Sequence, residues 1–270
     1  MSPPCAPGSS VREASWFPVI ALAAAVGCEG SAQSAPPFPR AGTAAAESAS
    51  ARQAPASCGP VHVVVLGSSS AAGTGPAASA NAWVERYRRH LDAAGAGHAL
   101  TNLARGGYNT YRILPRGFGG PEDHMQPDPA RNIERALAVS DAIIISLPSN
   151  DANLGIDVAT QLANYDTVLA RADAAGAEVW VTTTQPRNFD AARRATLRAM
   201  RDSTMARFGD RAIDFYTGLA RPDGTISSVY DAGDGIHLND AGHAILFARV
   251  ADARIPETVS CGARGAARSP

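Results

Sequence analysis

The sequence predicts an α/β fold: three layers, α/β/α, built on a five-stranded parallel sheet of the flavodoxin-like kind. Three observations predict it. Apolar, β-branched runs recur at 61–67, 141–147 and 177–184, the pattern of strands buried on both faces. Stretches with helical apolar spacing separate them, and strand–helix alternation implies parallel strands joined by crossovers. The span 58–262, roughly 200 residues, is long enough for one domain with a substantial core.

Each element has its own signal. "VHVVVLG" (61–67) ends in Gly and forms the first strand. Trp83, Tyr87 and Leu91 then recur at i, i+4 and i+8, a core stripe on a helix. A short strand fits 98–103. "DPARNIERAL" opens a helix with Asp128 as N-cap and Pro129 at its first position. "DAIIISL" (141–147) is the next strand, and Val158, Leu162, Tyr165 and Leu169 stripe the helix after it. "AEVWVTTT" (177–184) is the fourth strand. Leu197, Met200, Thr204 and Phe208 stripe another helix, "AIDFY" (212–216) is the fifth strand, and a last helix follows Asn239. No internal repeat is visible. Ligands of such sheets gather at the carboxyl ends of the strands, so function belongs just after Leu66, Leu103, Leu147, Thr184 and Tyr216.

Composition narrows the partners. The net charge is −1 and all 24 basic residues are arginine, so no basic field argues for nucleic acid. The arginine-rich helices around 86–89 and 193–201 read as solvated faces. Residues 17–26 form a short apolar run with Arg12 upstream, the length of a signal-peptide core and too short to span a bilayer. "AAAVGC" resembles a bacterial lipobox, with Ala25 where Leu is commonest, which makes Cys28 the expected lipidation site and 1–28 the signal. Residues 29–57 are Ala, Ser, Pro and Gly with little that is large; this tether cannot offset its ordering entropy by burial. The expected product is an exported monomer that meets the membrane through a lipid anchor only, facing periplasm or cell surface, with a secreted soluble form as the alternative. Cys58 and Cys261 bracket the folded span 58–262, ahead of a tail at 263–270. In an oxidising compartment they are candidates for one disulfide.

The strand ends carry the chemistry. "GSSSAAGTG" after the first strand is a hydroxyl-rich turn that could expose one serine oxygen beside free backbone N–H groups. Neither GxGxxG nor GxxxxGK[ST] is present, so no phosphate loop is read. "ARGGYNTY" after the second strand allows close backbone approach to a ligand. "LPSND" after the third offers the Asn150 amide as a donor. "DGIHLNDAGH" puts Asp234 three residues before His237, close enough to fix the ring tautomer across a tight turn. In chain order these are a nucleophile, oxyanion donors, and a base with its orienting acid.

The set resembles the SGNH hydrolase superfamily, the GDSL-type serine esterases, over about 61–251. The resemblance implies that Gly73 sets the register and Ser69 is the nucleophile, with Ser68 in the family's Asp position. It implies an oxyanion hole of Ser69, Gly107 and Asn150, a structural Asp151, and Asp234 and His237 as acid and base. Two positions depart from the pattern: Ser68 removes a carboxylate, and Pro148 replaces Gly. The expected activity is hydrolysis of acetyl or short acyl esters, carried by small molecules or glycans, without a cofactor or metal. Tyr108 and Arg187 are candidate substrate contacts, with Asn109 and Tyr111 beside Tyr108. Thr182, Gln185 and Asn188 also belong to the active edge, whereas His62, His90, His98, His124 and His243 read as surface or capping residues. Three alternatives stand: an O-acyltransferase on envelope glycans, a metal-dependent phosphoesterase using Asn150, Asp151, Asp234 and His237, and a catalytically dead glycan-binding module.

Two outcomes follow for the chain ends. Intact-mass measurement of the expressed protein should show cleavage before Cys28 and a lipid adduct, with partition into detergent. Non-reducing peptide mapping should find Cys58 linked to Cys261, a long-loop bond that the chain-entropy model rates at about 5 kcal/mol before any native strain.

Overall fold

Successive side chains of a strand point to opposite faces, and in β1 (His62–Gly67) both sets are apolar. Val63 and Val65 therefore join one core while Val64 and Leu66 join another, and the sheet needs helices on both sides. The computed structural model describes residues 59–147 and 149–260. It contains a five-stranded sheet in the order β2-β1-β3-β4-β5, with β2 at Ala99–Asn102, β3 at Ala142–Ser146, β4 at Glu178–Thr182 and β5 at Ala212–Ile213. All four pairings are parallel.

One face is covered by α2 (Trp83–Ala93) and α7 (Asp240–Asp252). Here Trp83 meets Phe215 edge-on, with centroids 5.5 Å apart. The other face is covered by α3 (Ile133–Leu137), α5 (Val158–Ala174) and α6 (Ala191–Phe208), whose Ile133, Tyr165, Val168 and Met200 pack on Ile143, Ile145 and Val181. Short helices α1 (Ser69–Ala72) and α4 (Ser149–Asn153) follow β1 and β3 directly, and α8 (Ile255–Thr258) ends the described chain. The strand order reverses between β1 and β3, the place where open α/β sheets bind ligands.

The structure moves several sequence-based boundaries. The helix expected from Asp128 begins at Ile133, because Asn132 accepts the Arg135 N–H while Asp128 closes its own turn onto Ala130. In α5 Tyr165 is fully buried, but Val158, Leu162 and Leu169 are only partly covered, since Gln161 and Asn164 take inward positions. The fifth strand is two residues long: the Asp214 carboxylate accepts the Tyr216 and Thr217 N–H groups and turns the chain out of the ladder. Cys28, Cys58, Cys261, Pro148, the tether and the tail lie outside the described residues. Among the described residues no helix is long and apolar enough to cross a membrane.

His243 narrows the surface-or-capping expectation to capping. It is fully buried, and its Nδ1 accepts the Trp83 N–H at 3.1 Å, so it caps α2 from α7. His62 and His98 also bond to neighbours, to Thr101 Oγ1 and the Val61 N–H, whereas His90 lies against Tyr87 and Phe247. Burial pushes the His243 ring down from 6.5 to about 4; the Thr74 backbone and Asp240 oppose this, and His237 and Arg86 add to it. As pH falls, the unfolded chain takes up this proton first. The stability tied to neutral His243 is thus present above about 6.5 and lost as pH falls toward about 4. Urea titrations over that range should show a fall of at most about 3 kcal/mol from this group. The fall should be smaller in His243→Asn, whose amide oxygen can accept the same N–H without titrating.

Candidate active site

Gly67 must be glycine for the chain to turn at the end of β1. A Cβ there would lie 2.6 Å from that of Ala71 and 3.0 Å from the Ser146 carbonyl oxygen. The next N–H, of Ser68, donates to that same oxygen at 3.1 Å, and α1 begins at once. Ser69 is therefore the first residue of a helix, where backbone N–H groups have no partner within the helix. Ser70 is buried, and its Oγ accepts the Gln185 Nε2–H at 2.7 Å.

The last loop is pinned from below. The Asp231 carboxylate accepts the N–H groups of Gly233 and Gly235, and its second oxygen accepts Asn188 Nδ2–H. The Asn188 N–H donates to the Gly235 carbonyl at 2.8 Å. Gly235 sits at φ +69° with Asn188 against it, so a side chain there would be both strained and obstructed. Asn239 then caps α7 through Ala241 and Gly242.

This loop carries Asp234 and His237 over the end of β1. Asp234 Oδ2 lies 2.6 Å from His237 Nδ1, and Oδ1 accepts the Ile236 and His237 N–H groups at 2.8 Å each. Partial burial would raise the carboxyl, but the His237 ring and these two N–H groups win and hold it at about 2. An ionised carboxylate can only accept. Nδ1 therefore bears the proton, and Nε2 accepts the Ser69 hydroxyl at 2.8 Å. Asp234, His237 and Ser69 form one unbroken chain of hydrogen bonds.

The second and third strand ends meet beside it. Gly107 adopts φ +83°, and a Cβ on neighbouring Gly106 would come within 4.0 Å of Ser69 Cβ. The Asn150 Nδ2–H donates to the Tyr108 carbonyl at 2.8 Å, tying α4 to the glycine loop. Asp151 is fully buried and accepts both the N–H and the hydroxyl of Thr110, the latter at 2.6 Å. Burial pushes Asp151 up to about 7 against those donors. Asn164 donates to Thr110 Oγ1 at 2.8 Å, so α5 joins the same network.

The candidate substrate contacts are placed differently from one another. The Tyr108 ring is buried and its hydroxyl donates to Asp128; Asn109 is also buried, bonded to Tyr111 and His124, so neither presents an exposed side chain. Arg187 is half-buried beside Asn150. A cleft of about 330 Å³ adjoins the glycine loop, lined by Arg105, Gly106, Gly107, Tyr108, Arg112 and Asp128. Among the described residues no group of three or more His, Cys, Asp or Glu is placed to hold a metal ion.

A family model, the GDSL-like Lipase/Acylhydrolase family, matches residues 65–245. The chain belongs to this family. It is a carboxylic ester hydrolase by that membership. No curated protein matches the chain. Solved structures share the fold. The psychrotrophic esterase EstA from Pseudoalteromonas sp. is 16% identical over 72% of this chain and 97% of its own, at a TM-score of 0.53. A lipolytic protein of the G-D-S-L family from Veillonella parvula is 21% identical over 71% and 96%, also at 0.53. A two-domain esterase active on acetylated mannans is 15% identical over 74% of this chain and 51% of its own, at 0.50.

Sequence reading did not give roles to Thr110, Asp231 or Gly75. Asp231 had a local signal, an acid with glycines two and four residues on. Gly75 had none: at φ +116° its missing Cβ makes room for the last loop, where it would lie 2.2 Å from the Leu238 carbonyl and 3.0 Å from His237 Cβ. Gly75→Ala should destabilise the fold by about 1–3 kcal/mol and displace His237. Denaturant titration and steady-state kinetics on one preparation should show kcat falling more than KM rises.

Proposed function

We propose that this hydrolase cleaves acetyl or short acyl esters of carbohydrates through an acyl-enzyme on Ser69. The observation that carries the reading is the continuous bond chain Asp234–His237–Ser69. Ser69 Oγ attacks the ester carbonyl while its proton passes to His237 Nε2. The negative charge on the former carbonyl oxygen is received by the N–H groups of Ser69 and Gly107 and by Asn150 Nδ2. Collapse breaks the acyl–oxygen bond, and His237 returns its proton to the leaving alcohol. Water repeats the sequence on the acyl-enzyme, releasing the acid and free Ser69. Asp234 holds the tautomer and stabilises the imidazolium without taking the proton.

The carbohydrate part of the proposal rests on the esterase of acetylated mannans that shares the fold and on the polar lining of the cleft beside Gly107. Anchoring through Cys28 would hold such an enzyme at an envelope surface, within reach of acylated glycans. With an alcohol in place of water the same intermediate would transfer its acyl group, the O-acyltransferase alternative.

A fluorophosphonate should add one adduct per chain on the Ser69 peptide and abolish activity on acetylated glycans. Ser69→Ala should lose at least about 10³-fold in kcat, and EDTA should leave the wild type active. Asp234 is held at about 2, so its own protonation should leave kcat/KM unaffected until the pH falls toward that value. An unlabelled Ser69 together with an active Ser69→Ala protein would falsify the mechanism.

A further inference from the structure

Arg187 follows β4 and stacks over the Phe189 ring, its guanidinium carbon 4.3 Å from the centroid. Its Nη1 lies 3.3 Å from Ser149 Oγ and 3.4 Å from Asn150 Oδ1. Both oxygens are neutral, so these contacts do not neutralise the cation. On the far side of the same amide, Asn150 Nδ2 donates to the Tyr108 carbonyl at 2.8 Å.

We propose that Arg187 is a positioning residue that fixes which way the Asn150 amide faces and strengthens its free N–H as a donor. The proposal rests on the reading of Asn150 as an oxyanion donor. The two ends of an asparagine amide have nearly the same shape, so packing alone does not choose between them. Here the choice is electrostatic. A flipped amide would set Oδ1 against the Tyr108 carbonyl and the NH₂ against the guanidinium, turning two attractions into two repulsions. In the observed orientation one Nδ2 hydrogen is committed to Tyr108 and the second is left for the oxyanion. The guanidinium at Oδ1 draws electron density through the conjugated amide, and linked hydrogen bonds polarise one another. The contact is long in the free enzyme, and such contacts tighten as charge develops on the substrate. Phe189 sets the plane of the guanidinium, which a lysine ammonium cannot reproduce.

Kinetics on a neutral acetyl ester, p-nitrophenyl acetate, test this with Arg187→Ala, Asn150→Ala and the double variant, each checked for wild-type thermal unfolding. Asn150→Ala should lower kcat by about 10²–10³. Arg187→Ala should lower kcat by about tenfold, with KM within about twofold of wild type. The double variant should match Asn150→Ala within about twofold, since Arg187 has nothing to act through once the amide is gone. Arg187→Lys should recover only part of the lost kcat. Multiplying losses in the double variant, or an Arg187→Ala protein that changes KM alone, would overturn the proposal and leave Arg187 a direct substrate contact. If Asn150→Ala keeps full kcat, the oxyanion reading itself fails.

Discussion

One hydrogen bond, 2.8 Å between Ser69 Oγ and His237 Nε2, joins side chains 168 positions apart in the chain. Neither loop can choose that distance alone. β1 fixes one end, since all but its first residue is buried in the centre of the sheet and Gly67 lets α1 start without a connecting loop. The other end hangs on α7, whose α2 contact is sealed by His243 accepting the Trp83 N–H. The packing of α7 on α2 therefore decides where His237 stands, and α2 is the helix that connects β1 to β2. A small shift of α7 would cost this bond long before it cost the fold, since a hydrogen bond weakens steeply with lost geometry.

The loops at the strand ends are tied to each other through polar side chains, several of them buried. Gln185 reaches Ser70 under the first loop. Asn150 reaches the carbonyl beside the second, and Asp151 holds Thr110 at its far end. Asn188 holds the fifth through Gly235 and Asp231. Most of these are neutral contacts of modest net worth. Asp151 is the exception: its desolvation outweighs three contacts from Thr110, which is why its carboxyl moves up to about 7. The domain thus accepts an unfavourable burial directly beneath the loop that bears Gly107, where a looser neutral pair would let the loop drift.

The fold was legible in the sequence because buried parallel strands need apolar residues on both faces, and "VHVVVLG", "DAIIISL" and "AEVWVTTT" leave little else to be. Less legible was every place where a polar side chain competes with the backbone for a hydrogen bond. Asp214 ends β5 early, and Asn132 captures a helix start that Asp128 and Pro129 seemed to mark. Ser69, Asp234 and His237 were candidates from the sequence because their spacing is local or their register is set by a nearby glycine, and the fold brings the three into hydrogen-bond contact. His243 could be read only as surface or capping, because the group it caps, the Trp83 N–H, is 160 residues away and no sequence pattern marks it. Gly75 was invisible for a related reason, since its role is to be absent from space another loop occupies.

The loop after β1 carries Ser68 where the family resemblance places an acid, and it is held without one. The Ser68 side chain makes no capping bond to α1. The loop is fixed instead by the Ser68 N–H on the Ser146 carbonyl, by the Asn102 amide on the Ala71 carbonyl at 2.8 Å, and by Gln185 on Ser70. Gln185 also reaches toward the Ile236 carbonyl, at 3.5 Å, just before His237. One neutral amide thereby touches both the loop after β1 and the loop that carries His237. A buried amide pays far less desolvation than a buried carboxylate. The exchange leaves Asp234, close to solvent and held by two backbone N–H groups, as the anion that bears on the His237 ring.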